Sequence, residues 1–375
     1  MKKLFDTGCH VVAQAVKCAD VDMVAAYPIT PQTSVVEEIA ALTESGEMNC
    51  RFLPVEGEHS AMAACVAAAA VGARAFTATS SQGLLYMHEV LHMASGCRFP
   101  LVMVNVNRAV FAPWTLWADH SDSLSQRDTG WLQLYCCSLQ EVFNTILQAY
   151  YIAERVRIPV MVNMDGFILS HCRMIVNMPD QEIIDKFLQR QPNGWIANPA
   201  NPSAYACVTG ADLYPGFREE LFNDTKNADK IIVEAASVYR DLTGFWDGDL
   251  IDTYRCDDAD TFIVTIGSMA AEARLSIDLL REQGVKTGLI KIRSFRPFPA
   301  AALSAVLPDG ARVMVLDRNY GLGTEGGIVF SELKASLFNR AAKIEIANQI
   351  MGIGGSDVNY QMMADAVTSA WDIRR

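Results

Sequence analysis

The chain is short of several features at once, and each shortage removes a class of function. Its ten cysteines are scattered, only Cys136 and Cys137 are adjacent, and no Cys-x-x-Cys pair occurs. That removes the usual thiolate spacing for zinc, for an iron–sulfur cluster and for dithiol exchange. No uninterrupted apolar run approaches the ~20 residues of a membrane span, and no apolar signal-type stretch follows Met1-Lys2-Lys3. A cytoplasmic protein is expected, with no membrane contact and with its cysteines serving as small hydrophobes in a reducing compartment. Positive charge is also scarce: 31 Lys and Arg stand against 43 Asp and Glu, a net charge of -12. No basic face is visible for a nucleic-acid backbone. No internal repeat or low-complexity tract is present. What is there is 375 residues, 51% hydrophobic and 20% charged, long enough for two domains with full cores.

From Thr7 to about Ser170 short apolar runs alternate with helical spacing. Helices are expected over Gly8–Ala19, Ser34–Ser45, Ser60–Gly72, Leu84–Ala94 and Glu141–Arg155, and strands over Met23–Tyr27, Arg51–Val55, Ala73–Ala78, Leu101–Asn107 and Val160–Met164. Strands alternating with helices of this length predict an α/β, doubly wound, mostly parallel sheet within residues 1–190. Between 191 and 258 the clusters Pro192-Asn193-Gly194, Asn198-Pro199-Ala200-Asn201-Pro202 and Tyr214-Pro215-Gly216 break any regular pattern. This stretch is expected to be a connection over the surface with one helix, Ala228–Thr243. A second α/β unit, 259–375, repeats the alternation with strands at Thr261–Ile266, Thr287–Ile292 and Arg312–Leu316 and helices at Ala270–Gln283, Ala300–Leu307 and Ile328–Phe338.

Three segments that each close an apolar run carry chemistry: Tyr27-Pro28-Ile29-Thr30-Pro31-Gln32-Thr33, Val55-Glu56-Gly57-Glu58-His59-Ser60-Ala61 and Thr77-Ala78-Thr79-Ser80-Ser81-Gln82-Gly83. Together they offer a Thr hydroxyl held between prolines, a pair of carboxylates and a Gly-ended turn. Glu58, beside a strand end and ahead of an Ala-rich helix, can accept a hydrogen bond from a protonated heterocycle nitrogen. Equally, Glu56 and Glu58 can serve only the dipole of that helix. Arg108 follows a strand at its carboxyl end, where α/β sheets bind ligands, although an Arg after a strand is commonly a surface ion-pair partner.

The same segments, with Val-Asn-Arg-Ala at 106–109, Asp119-His120-Ser121-Asp122-Ser123-Leu124-Ser125-Gln126-Arg127-Asp128, Asp165-Gly166-Phe167-Ile168-Leu169-Ser170-His171, Gly267-Ser268-Met269-Ala270, Arg293-Ser294-Phe295-Arg296-Pro297-Phe298-Pro299 and Gly352-Ile353-Gly354-Gly355, resemble the alpha subunits of the 2-oxoacid:ferredoxin oxidoreductases over nearly the whole chain. The resemblance implies a doubly wound pyrimidine-binding domain of a thiamine diphosphate enzyme, followed by an α/β domain like the C-terminal domain of transketolase. It implies that Glu58 contacts the aminopyrimidine, with Pro28, Ile29, Ser81 and Gln82 beside the cofactor. Thr30 and Arg108 would meet the carboxylate of a 2-oxoacid, a task for which a planar guanidinium is suited. Trp114 and His120 are expected to line the acyl pocket, and aromatic residues such as Trp114 and Trp117 could instead pack on another subunit.

The Gly-Asp-Gly segment and trailing Asn that hold Mg2+ and the diphosphate in that superfamily are missing, for Trp246-Asp247-Gly248-Asp249 has neither their order nor their context. The resemblance therefore implies partners: a beta-type subunit with the diphosphate-binding domain and Mg2+, a ferredoxin-like iron–sulfur subunit and a gamma-type subunit, with coenzyme A as co-substrate. No metal is expected on this chain itself. Two other motifs compete. His88-Glu89-Val90-Leu91-His92 matches a zinc hydrolase pattern but sits in a helix rich in Met and Val with no third-ligand signal. Gly321-Leu322-Gly323-Thr324-Glu325-Gly326 matches a dinucleotide loop and reads better as a turn for subunit or coenzyme A contact. A non-catalytic assembly subunit is the remaining alternative.

Overall fold

The computed structural model describes residues 1–190, 196–200, 202 and 204–373; Pro192–Gly194 and Asn201 lie outside that range. The first sheet has seven strands: β2 (Met23–Ala26), β3 (Arg51–Pro54), β4 (Ala75–Thr79), β5 (Val102–Asn107), β6 (Leu132–Tyr135), β7 (Val160–Asp165) and β12 (Ser294–Arg296), in the order β12-β6-β7-β5-β4-β2-β3. All neighbours are parallel except β12, which runs antiparallel to β6. The strands are apolar on both faces because helices cover both. Val102, Val104 and Val106 of β5 enter the core formed with α1 (Gly8–Cys18), α2 (Thr33–Glu44) and α7 (Leu139–Val156), whereas Met103 enters the core formed with α3 (Glu58–Ala70), α4 (Ser81–Tyr86) and α5 (His88–Gly96). That alternation is the period of two expected of a strand sandwiched between layers. Ala61, Cys65 and Ala69 let α3 lie close on the sheet, since none projects far.

The second sheet follows the order β14-β13-β10-β11-β9, from β9 (Ile251–Tyr254), β10 (Thr261–Thr265), β11 (Thr287–Ile292), β13 (Arg312–Asp317) and β14 (Glu345–Ile350), with β9 the antiparallel edge. Its layers come from α10 (Met269–Glu282), α11 (Ala300–Val306), α12 (Ile328–Ser336) and α13 (Tyr360–Ala370). A ribbon of β1 (Lys2–Thr7) and β8 (Arg173–Met178) pairs antiparallel, and α8 (Gln181–Phe187) follows it. A short α6 (Ser121–Leu124) lies in the loop between β5 and β6.

Several expectations are corrected. The helix expected at Ala228–Thr243 is α9 (Tyr214–Thr243), 30 residues long, because Pro215 sits in its first turn, where a missing N–H costs nothing. Nor does it merely wrap the surface: Leu221, Ala228, Ile232, Ala235 and Tyr239 join the core on the α7 side. Burying a side chain such as Ile232 contributes about 1.5–3 kcal/mol relative to exposure. The helix expected at Leu84–Ala94 is divided at Met87 into α4 and α5.

The two sheets are not independent. β12 comes from the second α/β unit yet completes the first sheet, with Ser294 opposite Leu134. Beside it, Lys291 Nζ donates to Glu141 Oε1 at 2.9 Å, and Arg293 donates to Thr145 Oγ1 and Gln148 Oε1, so three buried charged residues join β11 and its extension to α7. Glu141→Ala removes the nearer carboxylate from Lys291, whose other one, Asp252, lies at 3.7 Å, and the carboxylate beside Arg293, and should lower stability by about 3–5 kcal/mol in urea unfolding.

Candidate active site

The carboxyl ends of β2, β3, β4 and β5 meet at one edge of the first sheet and carry the segments ending in Thr30, Glu58, Gly83 and Arg108. This is where an open α/β sheet offers a crevice. Thr30, Pro28 and Tyr27 are exposed there and Ile29 is half-buried; the Ile29 N–H donates to the buried side chain of Gln32 at 3.2 Å. Arg108 turns toward the same segment. Its Nη1 donates to Thr30 O at 2.9 Å, its Nε donates to Thr115 O at 3.0 Å, and its guanidinium lies 5.7 Å from the Trp114 ring centroid. Burial draws the Arg108 pKa downward, and the Asp122 carboxylate opposes that shift. The loop after β5 is closed at its base by Ala109 N donating to Trp117 O (3.0 Å), and Gly355 N from the second unit donates to Ala118 O (2.9 Å). Trp114 stands out from this loop, 70% exposed.

Glu58 opens α3 and is buried, and no hydrogen bond to its carboxylate is formed among the described residues. Gly83 makes its position possible. A Cβ there would lie 2.6 Å from Glu58 Oε1 and 2.5 Å from Thr79 Oγ1, so only glycine lets the carboxylate lie against the turn. Around it, both amide atoms of Gln82 and the hydroxyls of Thr79 and Ser80 are buried without a protein partner. Buried polar groups are normally paired, so this cluster of free donors and acceptors is what a polar ligand would satisfy. Ser81 is committed elsewhere: its Oγ donates to Ala109 O at 2.7 Å and its N–H donates to Asp122 Oδ2 at 3.0 Å. Glu56 is exposed and accepts from Ser60 Oγ, apart from this group.

Asp122 had no assigned role in the sequence. Its wholly buried carboxylate accepts from Ser81 N, Asn105 Nδ2 (3.2 Å) and Arg108 N (3.0 Å) on Oδ2, and from Asn107 Nδ2 (2.8 Å) and Ser123 N (2.7 Å) on Oδ1. Burial pushes its pKa up to about 6 against the pull of these donors.

His120 is placed differently from Arg108 and Trp114. It is fully buried, and its Nε2 lies 2.6 Å from Asp165 Oδ1. The other carboxylate oxygen accepts from Ser268 N (2.9 Å), from the Ser268 hydroxyl and from Arg318 Nη1 (3.4 Å). Asp165 ends β7, while Ser268 and Arg318 follow β10 and β13, so this ion cluster joins the two sheets. Gly267 permits the approach, because a Cβ there would come within 3.0 Å of the imidazole. His120, expected at the acyl pocket, lies in the geometry in a buried contact between units through Nε2, with its Nδ1 unpaired among the described residues.

A profile described as "Pyruvate flavodoxin/ferredoxin oxidoreductase, thiamine diP-bdg" matches residues 14–237, and one described as "Pyruvate:ferredoxin oxidoreductase core domain II" matches 259–363. The chain belongs to the pyruvate flavodoxin/ferredoxin oxidoreductase family. It is 45% identical to "Ketoisovalerate oxidoreductase subunit VorA" of Pyrococcus abyssi, covering 98% of this chain and 93% of that one. It is 42% identical to "Pyruvate synthase subunit PorA" of Methanocaldococcus jannaschii, covering 94% and 90%. Among solved structures, "2-oxoglutarate:ferredoxin oxidoreductase from Magnetococcus marinus with 2-oxoglutarate, coenzyme A and succinyl-CoA bound" superposes with a TM-score of 0.73 at 18% identity, covering 98% of this chain and 65% of that one. A "Split gene transketolase, inactive beta4 tetramer" superposes with a TM-score of 0.57 at 11% identity, over 99% of both chains, which extends the likeness of fold to thiamine enzymes.

Within this family fold the two competing motifs find other uses. Glu89 is ion-paired with His59 (2.9 Å), and His88 Nδ1 lies 2.5 Å from Gln126 Oε1. Among the described residues no group of three His, Cys, Asp or Glu could hold a metal, so the zinc hydrolase reading is not favoured. The Gly321–Gly326 turn leads to α12, whose first N–H groups at Val329 and Phe330 already donate to Asp317 (2.9 and 3.2 Å). A carboxylate of the chain itself occupies the place a dinucleotide phosphate would take.

For Asp165, burial alone would raise the pKa, but the His120 ring, the Arg318 guanidinium and the Ser268 hydroxyl hold it far below the usual carboxylate range. The unfolded chain therefore binds this proton more readily, so the stabilisation is full above about pH 5, begins to decline near the unfolded carboxylate value of about 4 and is lost as pH falls through the far lower folded value. Thermal unfolding measured from pH 7 to 3 should show a steep acid-side decline that is shallower in Asp165→Asn, which should also be less stable at pH 7.

Proposed function

We propose that the chain is the alpha subunit of a 2-oxoacid:ferredoxin (or related acceptor) oxidoreductase that converts a 2-oxoacid, coenzyme A and two oxidised one-electron carriers into acyl-CoA, CO2, a proton and two reduced carriers. The observation that carries this reading is a buried carboxylate with free acceptor capacity, Glu58, lying against Gly83, next along the chain to Gln82 with its unpaired buried amide, while the Arg108 guanidinium projects from the neighbouring strand end.

These residues fit thiamine diphosphate. When bound, it would supply the carbon nucleophile and the electron sink that decarboxylation of a 2-oxoacid needs. Glu58 would accept a hydrogen bond from the protonated ring nitrogen of the aminopyrimidine, and Gln82 and the Ser80 hydroxyl would satisfy its polar edge. Pro28 and Ile29 would bound the pocket on the β2 side, and Ser81 holds the turn in place. Arg108 would bind the substrate carboxylate and Thr30 would flank it; the acyl side would face Trp114. The chain has no oxygen-ligand segment for Mg2+ and the diphosphate, so a beta-type subunit would supply it, and a ferredoxin-like iron–sulfur subunit and a gamma-type subunit would complete the assembly. The relatives named for ketoisovalerate are slightly more similar to this chain than those named for pyruvate, which favours a branched-chain 2-oxoacid over pyruvate or an aryl glyoxylate. No described helix is long and apolar enough to cross a membrane, and no disulfide links any of the ten cysteines, which supports a reducing cytoplasmic setting.

The complex reconstituted with its partner subunits should oxidise 2-oxoisovalerate with coenzyme A. Glu58→Ala should cost about 100-fold or more in kcat, and Arg108→Ala about 10- to 100-fold in kcat/KM. Turnover unchanged in Glu58→Ala would favour an assembly role, and no turnover of 2-oxoisovalerate, pyruvate or phenylglyoxylate by the unmodified complex would overturn the reading.

A further inference from the structure

Asp122 is a buried anion with no ion-pair partner: its side chain meets no Lys, Arg or His within salt-bridge distance among the described residues, and five N–H donors surround it instead. Burying a carboxylate without a counter-charge opposes folding, and a fold that only needed to fill this space would do so more stably with an apolar side chain. The identity of the donors shows what the arrangement achieves. Ser81 N–H belongs to the turn after β4, held at a left-handed φ of 47° that few non-glycine residues adopt. Asn105 and Asn107 are two residues apart on β5 and so face the same side. Arg108 N–H is the backbone from which the guanidinium is projected, and Ser123 N–H fixes α6 itself. One carboxylate thus ties together the turn that carries Gln82 and Gly83 beside Glu58 and the strand end that carries Arg108.

We propose that Asp122 is a positioning residue for substrate binding: its carboxylate fixes the Arg108 main chain relative to the Ser81–Gly83 turn, so that carboxylate recognition and the Glu58 side of the site share one frame. The proposal rests on the reading of Arg108 as the group that binds the substrate carboxylate. An amide at this place has one acceptor oxygen, and its NH2 would confront donors already aimed at the site, so Asp122→Asn removes the frame while changing the volume little. Misplacing a binding group by about an ångström can cost on the order of 100-fold in rate. Because Asp122 acts on substrate binding through Arg108, its effect on KM should be largely absent once Arg108 no longer makes its bidentate contact, and Arg108→Lys is not a conservative change at such a contact.

The test is a double-mutant cycle in the assembled complex, with kcat and KM for the 2-oxoacid measured for the unmodified chain, D122N, R108K and the pair. D122N should lower kcat/KM about 10- to 100-fold, mainly through KM, and the pair should be within about twofold of R108K alone. Losses that multiply, or a D122N that lowers only the unfolding temperature, would overturn the proposal. If R108K itself costs nothing, the reading of Arg108 fails and this proposal falls with it, a result distinguishable from multiplied losses. Should D122N not assemble, Asn107→Ser withdraws one donor while leaving the charge in place. It should give a smaller loss with the same non-additivity, and additivity there would be equally decisive against the proposal.

Discussion

The carboxylate of Asp165 is the contact on which the arrangement of this molecule turns. It ends β7 in the middle of the first sheet, and its partners come from three places: His120 from the loop after β5, Ser268 from the start of α10 and Arg318 from the end of β13. All of these groups are buried, so the cluster is satisfied only if the two sheets sit in one mutual position. The Lys291–Glu141 pair and the extra strand β12 act at the opposite edge of the same junction. Two α/β units that could have been separate domains are thereby made into one frame.

That frame is what brings the site loops together. The segment from Arg108 to Ala118 is held from below by Asp122 and from the side by the turn at Gly352–Gly355, which belongs to the second unit. Arg108 then reaches back to Thr30 across the edge of the sheet. Among the described residues, buried polar atoms without a partner occur at Thr79, Ser80, Gln82, Asn105 and Asn107, on and beyond the ends of β4 and β5, and also farther off at Arg98, Gln133, His120, Arg293 and Arg318. Where such free groups line a crevice, a polar ligand can complete them.

How much of this the sequence shows depends on the range of the contacts involved. Strands such as Val102–Asn107 and Val160–Asp165 are legible because apolar runs closed by polar residues are local signals. β6 and β12 are not, since they pair with each other across about 160 positions of chain, a range over which no local signal acts. The first half of α9 was hidden by Tyr214-Pro215-Gly216, which reads as a break and is instead a helix start. Gly83 looks like any turn glycine until the Glu58 carboxylate is seen against it.

The amino-acid sequence alone determined the alternating α/β pattern, the family and the strand ends that carry Thr30, Glu58 and Arg108, because each is written in residues adjacent along the chain. Only the tertiary structure decided that His120 turns inward to Asp165, that Asp122 gathers five donors, and that the second unit lends a strand to the first sheet. Those outcomes depend on side-chain direction and on charges drawn from distant segments into a space without water, where each must find its partner or raise the cost of folding.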